Sequence, residues 1–172
     1  MKKYPFIIGI LISLLLVAGV YTTINSKPFA LSKYSQHKDF KTIEPAIKDN
    51  LQIIKENPEN DSAYYSLGQS FFSLGGFDDA IKAFNEAIKI APDKDYYYAF
   101  LAKVYAAKKD YPQAREAYAK ASEINPDKLD HYLKLAWLYY FRSNEEGKSY
   151  DVLKKGLEKA PNDKDLLFEI TR

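Results

Sequence analysis

Between residues 61 and 90 apolar side chains return every three or four positions, in one run over 61–74 and a second over 78–90. That spacing puts them on one face of a helix, so each run predicts an amphipathic α-helix with a single buried stripe. Gly75 and Gly76 separate the two runs and read as the turn between them. The arrangement returns twice, and Pro58, Pro92, Pro126 and Pro161, standing 34, 34 and 35 residues apart, close successive copies. Small residues (Gly68, Ala80, Ala87, Ala102, Ala114, Ala121, Ala136) let helix backbones approach, while Tyr64, Phe71, Phe84, Tyr98, Tyr105, Tyr118, Tyr132 and Tyr139 fill the spaces between. One helical pair cannot bury its own apolar face, so the copies must stack, and about three are needed for stability. The pattern predicts an all-α chain built by repetition.

In order and spacing, Tyr64, Leu67, Gly68, Phe71, Ala80, Phe84, Ala87 and Pro92 resemble the tetratricopeptide repeat. Tyr98, Leu101, Ala102, Tyr105, Ala114, Tyr118, Ala121 and Pro126 repeat the motif, and Tyr132, Leu135, Ala136 and Tyr139 begin it a third time. In that third copy Ser149, Leu153 and Gly156 take the places of Ala, an aromatic and Ala once one extra residue is allowed within 143–148, read here as a longer inter-helix turn. Ala46, Ile53, Ile54 and Pro58 have the spacing of a repeat's second helix, with Asn50 in place of its aromatic. The resemblance implies a right-handed solenoid of helical hairpins: a partial unit 40–60, units 61–94, 95–128 and 129–163, and a closing helix 164–172. Asp61, Asp95 and Asp127 near helix starts read as acceptors for free amide hydrogens, and Pro112 as a first-turn residue.

By the same resemblance, the first helix of each unit lines a concave groove. The side chains implied there include Tyr65, Gln69 and Phe72, then Tyr96, Phe100 and Lys103, then Lys134, Trp137, Tyr140 and Phe141. Trp137 is the chain's one tryptophan. Rigid rings supply contact area at low entropic cost, so such a groove suits an apolar or proline-containing extended segment, or an amphipathic helix, of a protein partner. The alternative is structural: Trp137, Tyr140 and Phe141 pack beneath the closing helix around Leu166, Leu167 and Phe168. Family members that grip acidic chaperone tails do so with Lys and Asn at five groove positions. Tyr65, Gln69, Phe100, Asp130 and Lys134 stand there, and only Lys134 matches.

The N-terminus carries a different signal. Lys2 and Lys3 precede Phe6–Val20, fifteen residues in which only Ser13 is polar. Uncharged sequence runs from Tyr4 to Ser26, 23 residues, or about 34 Å as a helix against a hydrocarbon core of about 30 Å. Residues 1–24 therefore read as a transmembrane signal-anchor helix, meeting the membrane through residues 4–24, with a cleaved signal peptide and a helix buried in a partner as alternatives. Lys27, Lys33, Lys38 and Lys41 nearly cancel the orienting charge of Lys2 and Lys3. The short basic leader favours a repeat domain outside the cytoplasm. Residues 25–39 lack sustained periodicity and read as a tether, or as a short helix around 29–34.

Charge and chemistry narrow the function. Setting aside Lys2 and Lys3, 23 of the 25 Lys and Arg face 23 Asp and Glu, and the signs alternate along the helices. Nucleic-acid binding, which needs a basic stripe, is not expected. There is no cysteine, no nucleophile elbow and no phosphate loop, and His37 and His131 are too few and too distant for a metal cluster. His131 reads as a half-exposed helix residue. No enzyme activity, cofactor, metal or small-molecule substrate is expected. The reading is a membrane-anchored interaction module, a scaffold or assembly factor. The alternative is an accessory subunit of a secretion, pilus or electron-transfer complex, with Gly9 and Ser13 letting its membrane helix approach others.

Overall fold

The computed structural model describes residues 29–171. Residues 29–36 hold one 3₁₀ turn, Leu31–Tyr34, closed by Ser35, whose hydroxyl donates to the Ser32 carbonyl at 2.8 Å. From residue 37 the chain is a run of α-helices: α1 (Phe40–Glu56), α2 (Asp61–Ser73), α3 (Phe77–Ile90), α4 (Asp95–Ala107), α5 (Tyr111–Ile124), α6 (Leu129–Ser143), α7 (Glu146–Lys159) and α8 (Lys164–Thr171). No strand occurs among the described residues. Each helix packs mainly on the one before and the one after it, the contact pattern of a solenoid. No described helix is long and apolar enough to cross a membrane, and the apolar stretch 4–24 lies outside the described residues.

The hairpins lock by setting a ring into a notch. Gly68 of α2 and Phe84 of α3 are both buried, and a Cβ on Gly68 would stand 2.8–2.9 Å from three atoms of the Phe84 ring. In the third hairpin Gly156 plays that part, its missing Cβ lying 3.1 Å from Leu166 and 3.2 Å from Tyr132. Ser149 replaces an alanine without leaving a buried hydroxyl unsatisfied, because it donates to the Ala136 carbonyl at 3.0 Å. Across α4, α5 and α6 the core is Ala99, Ala102, Ala114, Ala117, Tyr118, Ala121, Leu135 and Leu138.

The Gly75–Gly76 turn falls where expected, and the third hairpin's turn does not. Gly75 and Lys109 adopt left-handed φ values of 68° and 67°, and the amides of the residues that follow them, Gly76 and Asp110, each donate to the carbonyl five residues back, Phe71 and Tyr105. In the third hairpin the left-handed residue is Asn144, and the Glu145 amide reaches six residues back to Tyr139. The extra residue is thus absorbed by the end of α6, which has 15 residues where α2 and α4 have 13. The turn itself is not lengthened. In α1, Ile47 and Ile54 are buried, whereas Ala46 and Ile53 are exposed; the buried stripe is one residue out of the expected register.

Helix caps also correct the sequence reading. Asn60, not Asp61, caps α2, accepting from the Ala63 amide at 3.0 Å. Asp110 caps α5 through the Gln113 amide, with Pro112 in the first turn, and Asp163 caps α8 through the Leu166 amide. Asp127 lies two residues before α6 and caps nothing there, since Lys128 holds the cap position without a side-chain bond. Asp61 and Asp95, one residue inside their helices, instead reach to the next hairpin. Asp61 accepts from Lys94 Nζ and from the hydroxyl of buried Tyr97, the latter at 2.5 Å. Asp95 Oδ2 lies 2.8 Å from His131 Nε2. Both bridges span 36 residues. His131 is therefore not half-exposed but buried, 2 % accessible, with Nδ1 lacking a hydrogen-bond partner. At the third junction the same two positions hold Leu129 and Leu166, which belong to one apolar cluster.

The Lys94 ammonium, then the Tyr97 hydroxyl, hold the Asp61 carboxyl below its ordinary value. A carboxyl lowered in the folded state stabilises fully above its unfolded pKa of about 3.9, and that contribution is lost as pH falls through the folded value. Asp61→Asn is expected to cost about 1 kcal/mol at pH 7. Urea denaturation across pH should show the gap to the natural protein holding down to about pH 5 and closing below about pH 4. Gly68→Ala should lose about 1–2 kcal/mol, because overpacking the fixed Phe84 ring outweighs a helix-propensity gain of about 1 kcal/mol. Gly147→Ala, with nothing within 4 Å of the added methyl, should be neutral or stabilising by up to about 1 kcal/mol in the same assay.

Candidate protein-binding site

The first helices α2, α4 and α6 carry the ten candidate groove residues, and the structure divides them into two groups. Tyr65, Tyr96 and Phe100 are packed together across α2 and α4: the Tyr65 ring lies 5.2 Å from both Tyr96 and Phe100, edge to face. Phe84 and Tyr97 back this cluster, 5.8 Å and 5.0 Å from Tyr65. Gln69 donates to the Tyr65 hydroxyl at 3.1 Å, and Lys103 places its ammonium 4.4 Å above the Phe100 ring. Burial, then the neighbouring Tyr96, push the Tyr65 hydroxyl pKa up, so it stays a neutral hydrogen-bonding group. Gln69 also lines a polar cleft with Thr42, Asn50 and Ser66 between α1 and α2. Phe72 turns to Phe77 at the start of α3, 6.0 Å away.

The second group is open. Trp137, Tyr140 and Phe141 on α6 remain 45 %, 48 % and 48 % exposed. Phe141 links them, 5.4 Å from Trp137 and 4.8 Å from Tyr140. They line a cavity of about 570 Å³ with Leu133 and Lys134 of α6, Leu153 of α7, and Asp165, Phe168 and Glu169 of α8. The closing helix therefore walls the rings rather than covering them. Of Leu166, Leu167 and Phe168 only Leu166 is buried, against Tyr132 and Leu153, while Phe168 is 64 % exposed on the rim. Arg142 lies 5.0 Å over the Trp137 ring, and Lys134 pairs with Asp130 at 3.5 Å.

Sequence reasoning left Tyr97, Asp165, Phe168 and Glu169 out of the groove, along with the core residues Ala136, Ser149 and Leu153 that also line the cavity. Asp165 and Glu169 stand four apart, a spacing that places them on one helical face, but that face could be assigned to the cavity only once Leu166 had oriented α8. Among the described residues no group of three His, Cys, Asp or Glu side chains converges as metal ligands do.

Antiparallel hairpins stacked in sequence order, with small residues notched by rings and an aromatic face on the first helices, define a helical-hairpin repeat protein. Residues 62–94 and 96–128 each match a family model of the tetratricopeptide repeat. Residues 62–128 are thus tetratricopeptide repeats, hairpins of a family of interaction modules. A crystal structure of MamA superposes with a TM-score of 0.64 at 20 % identity, covering 84 % of this chain and 82 % of that one. MamA 41-end from Desulfovibrio magneticus RS-1 gives 0.62 at 17 % identity, covering 73 % and 71 %. The first tetratricopeptide domain of Spaghetti (RPAP3), bound to the HSP90 peptide SRMEEVD, gives 0.54 at 18 %, covering 64 % and 89 %. At these identities the likeness is one of fold. No curated protein sequence matches the chain.

The two groups of rings differ in what they hold up. Trp137→Ala removes a half-exposed side chain and should cost about 1 kcal/mol. Phe84→Ala empties a fully buried site and should cost about 3–5 kcal/mol. Urea denaturation of the two variants checks the contrast, and a loss at Trp137 comparable to that at Phe84 would mean its ring is structural.

Proposed function

We propose that this protein is an interaction module held at a membrane by its N-terminal apolar segment, a scaffold or assembly factor that docks protein partners on the concave face of its repeats. The observation that carries this reading is the open aromatic surface of Trp137, Tyr140, Phe141 and Phe168 around a cavity of about 570 Å³. Exposed rings grouped at one end of a solenoid are costly to leave in water and are the usual anchors of a protein interface. Tyr65, Tyr96 and Phe100 continue the face as a firmer floor, with Tyr65 and Phe100 half-buried and Tyr96 exposed. Anchoring rests on the 23 uncharged residues Tyr4–Ser26 behind Lys2 and Lys3, and the short basic leader supports a repeat domain outside the cytoplasm.

The Spaghetti domain binds a peptide rich in carboxylates. The positions that would clamp such a peptide here carry Tyr65, Gln69, Phe100, Asp130 and Lys134, and Lys134 is already paired with Asp130. The groove is therefore read as one for an apolar or amphipathic segment, not an acidic tail.

Photo-crosslinking in native membranes tests the reading. A crosslinker replacing Trp137 should trap one discrete protein. One replacing exposed Lys82, on the outer helix α3, should not, and one replacing half-buried Phe100 should trap the same protein less efficiently. If Trp137 yields only internal links near Phe168, the groove is not the working surface.

A further inference from the structure

Resting on that reading of the groove, we propose that the cavity between α6, α7 and α8 accepts a cationic side chain, lysine or arginine, carried on an otherwise apolar segment of the partner protein. The cavity is polarised. Its floor and near wall are apolar, from Leu133, Ala136 and Leu153, and its rings are Trp137, Tyr140, Phe141 and Phe168. Asp165 and Glu169 line the α8 side, and among the described residues neither takes part in an ion pair. Among the described residues the one cation lining the cavity, Lys134, is offset by Asp130 at 3.5 Å.

Two carboxylates beside aromatic faces make a negative recess in a low-dielectric wall. A lysine or arginine fits both halves of it, laying its methylene stem along the leucines and its charged head between rings and carboxylates. That this surface tolerates a stacked cation is visible in the protein itself, where Arg142 lies 5.0 Å over Trp137 and 5.2 Å over Tyr111. An acidic side chain would meet Asp165 and Glu169 as like charges, so the same recess discriminates against the opposite ligand.

The test is selection from a random dodecapeptide display library on the full chain in nanodiscs, run in parallel on Asp165→Asn/Glu169→Gln and on Trp137→Ala/Phe168→Ala. Circular dichroism melts confirm that both variants remain folded. Clones retained by the natural protein but not by Trp137→Ala/Phe168→Ala should carry Lys and Arg over Asp and Glu by about fivefold or more, a bias worth about 1 kcal/mol. That bias should fall to the ratio of the starting library on Asp165→Asn/Glu169→Gln. A selected peptide and its Lys→Gln partner, titrated by Trp137 emission, should differ about fivefold in Kd. Cavity-dependent clones without a basic bias, with an acidic bias, or with a basic bias that survives loss of the carboxylates would overturn the inference while leaving the groove reading intact. Clones indifferent to Trp137→Ala/Phe168→Ala would overturn both.

Discussion

The structure depends first on the contact between a ring and a notch, made where Phe84 meets Gly68 and where Tyr132 meets Gly156. No hairpin here is long enough to enclose its own apolar face, so α2 and α3 are held by Phe84 seated against Gly68, where even one methyl group does not fit. Because that contact leaves no slack, it sets how closely the two helices lie and where the next pair can begin. The aromatic face of the first helices follows from it: residues on the notched side of α2, α4 and α6 are committed to the core, and Tyr65, Phe100 and Trp137 are left on the other.

A second tie joins one hairpin to the next. Asp61 to Tyr97 and Asp95 to His131 are the same pair of positions in successive units, each linking the first residue of one helix to the third residue of the helix 34 positions on. At the last junction Leu129 and Leu166 occupy those places. The bridge thus changes from polar to apolar between α6 and α8, and α8 is held through Leu166 without a buried polar group to satisfy. That manner of attachment matters for the candidate site, because it fixes Asp165, Phe168 and Glu169 at the cavity while letting Trp137, Tyr140 and Phe141 stay open.

The repeat was legible because it is written in local spacing: Pro58, Pro92, Pro126 and Pro161, and the small and aromatic positions between them, determine helix, turn and period without reference to distant contacts. What was not legible depends on partners about 36 residues away. Asp61 and Asp95 look like caps until Tyr97 and His131 are brought over them, and His131 looks like a surface residue until Asp95 covers it. The extra residue near 143 was visible, but whether helix or turn absorbs it depends on where the left-handed residue falls, and Asn144 tolerates that conformation. Of the groove residues, Trp137, Tyr140, Phe141 and Lys134 do share one cavity. Tyr65 and Phe100 were named for the same face, yet their rings are consumed by packing against Tyr96, Tyr97 and Phe84. Periodicity reports which face a ring occupies and is silent on whether a neighbouring ring already fills the space above it.

The central claim is that the rings on α6 and α8 are open in the free protein and covered when it works. Hydroxyl-radical footprinting read by mass spectrometry measures this ring by ring, in the purified protein and in living cells. The account predicts ready oxidation of Trp137, Phe141 and Phe168 in the purified protein and strong protection of all three in cells, with Tyr65 and Phe100 weakly oxidised in both. Equal oxidation of Trp137 and Phe168 in both settings, or protection of them in the purified protein, would contradict it.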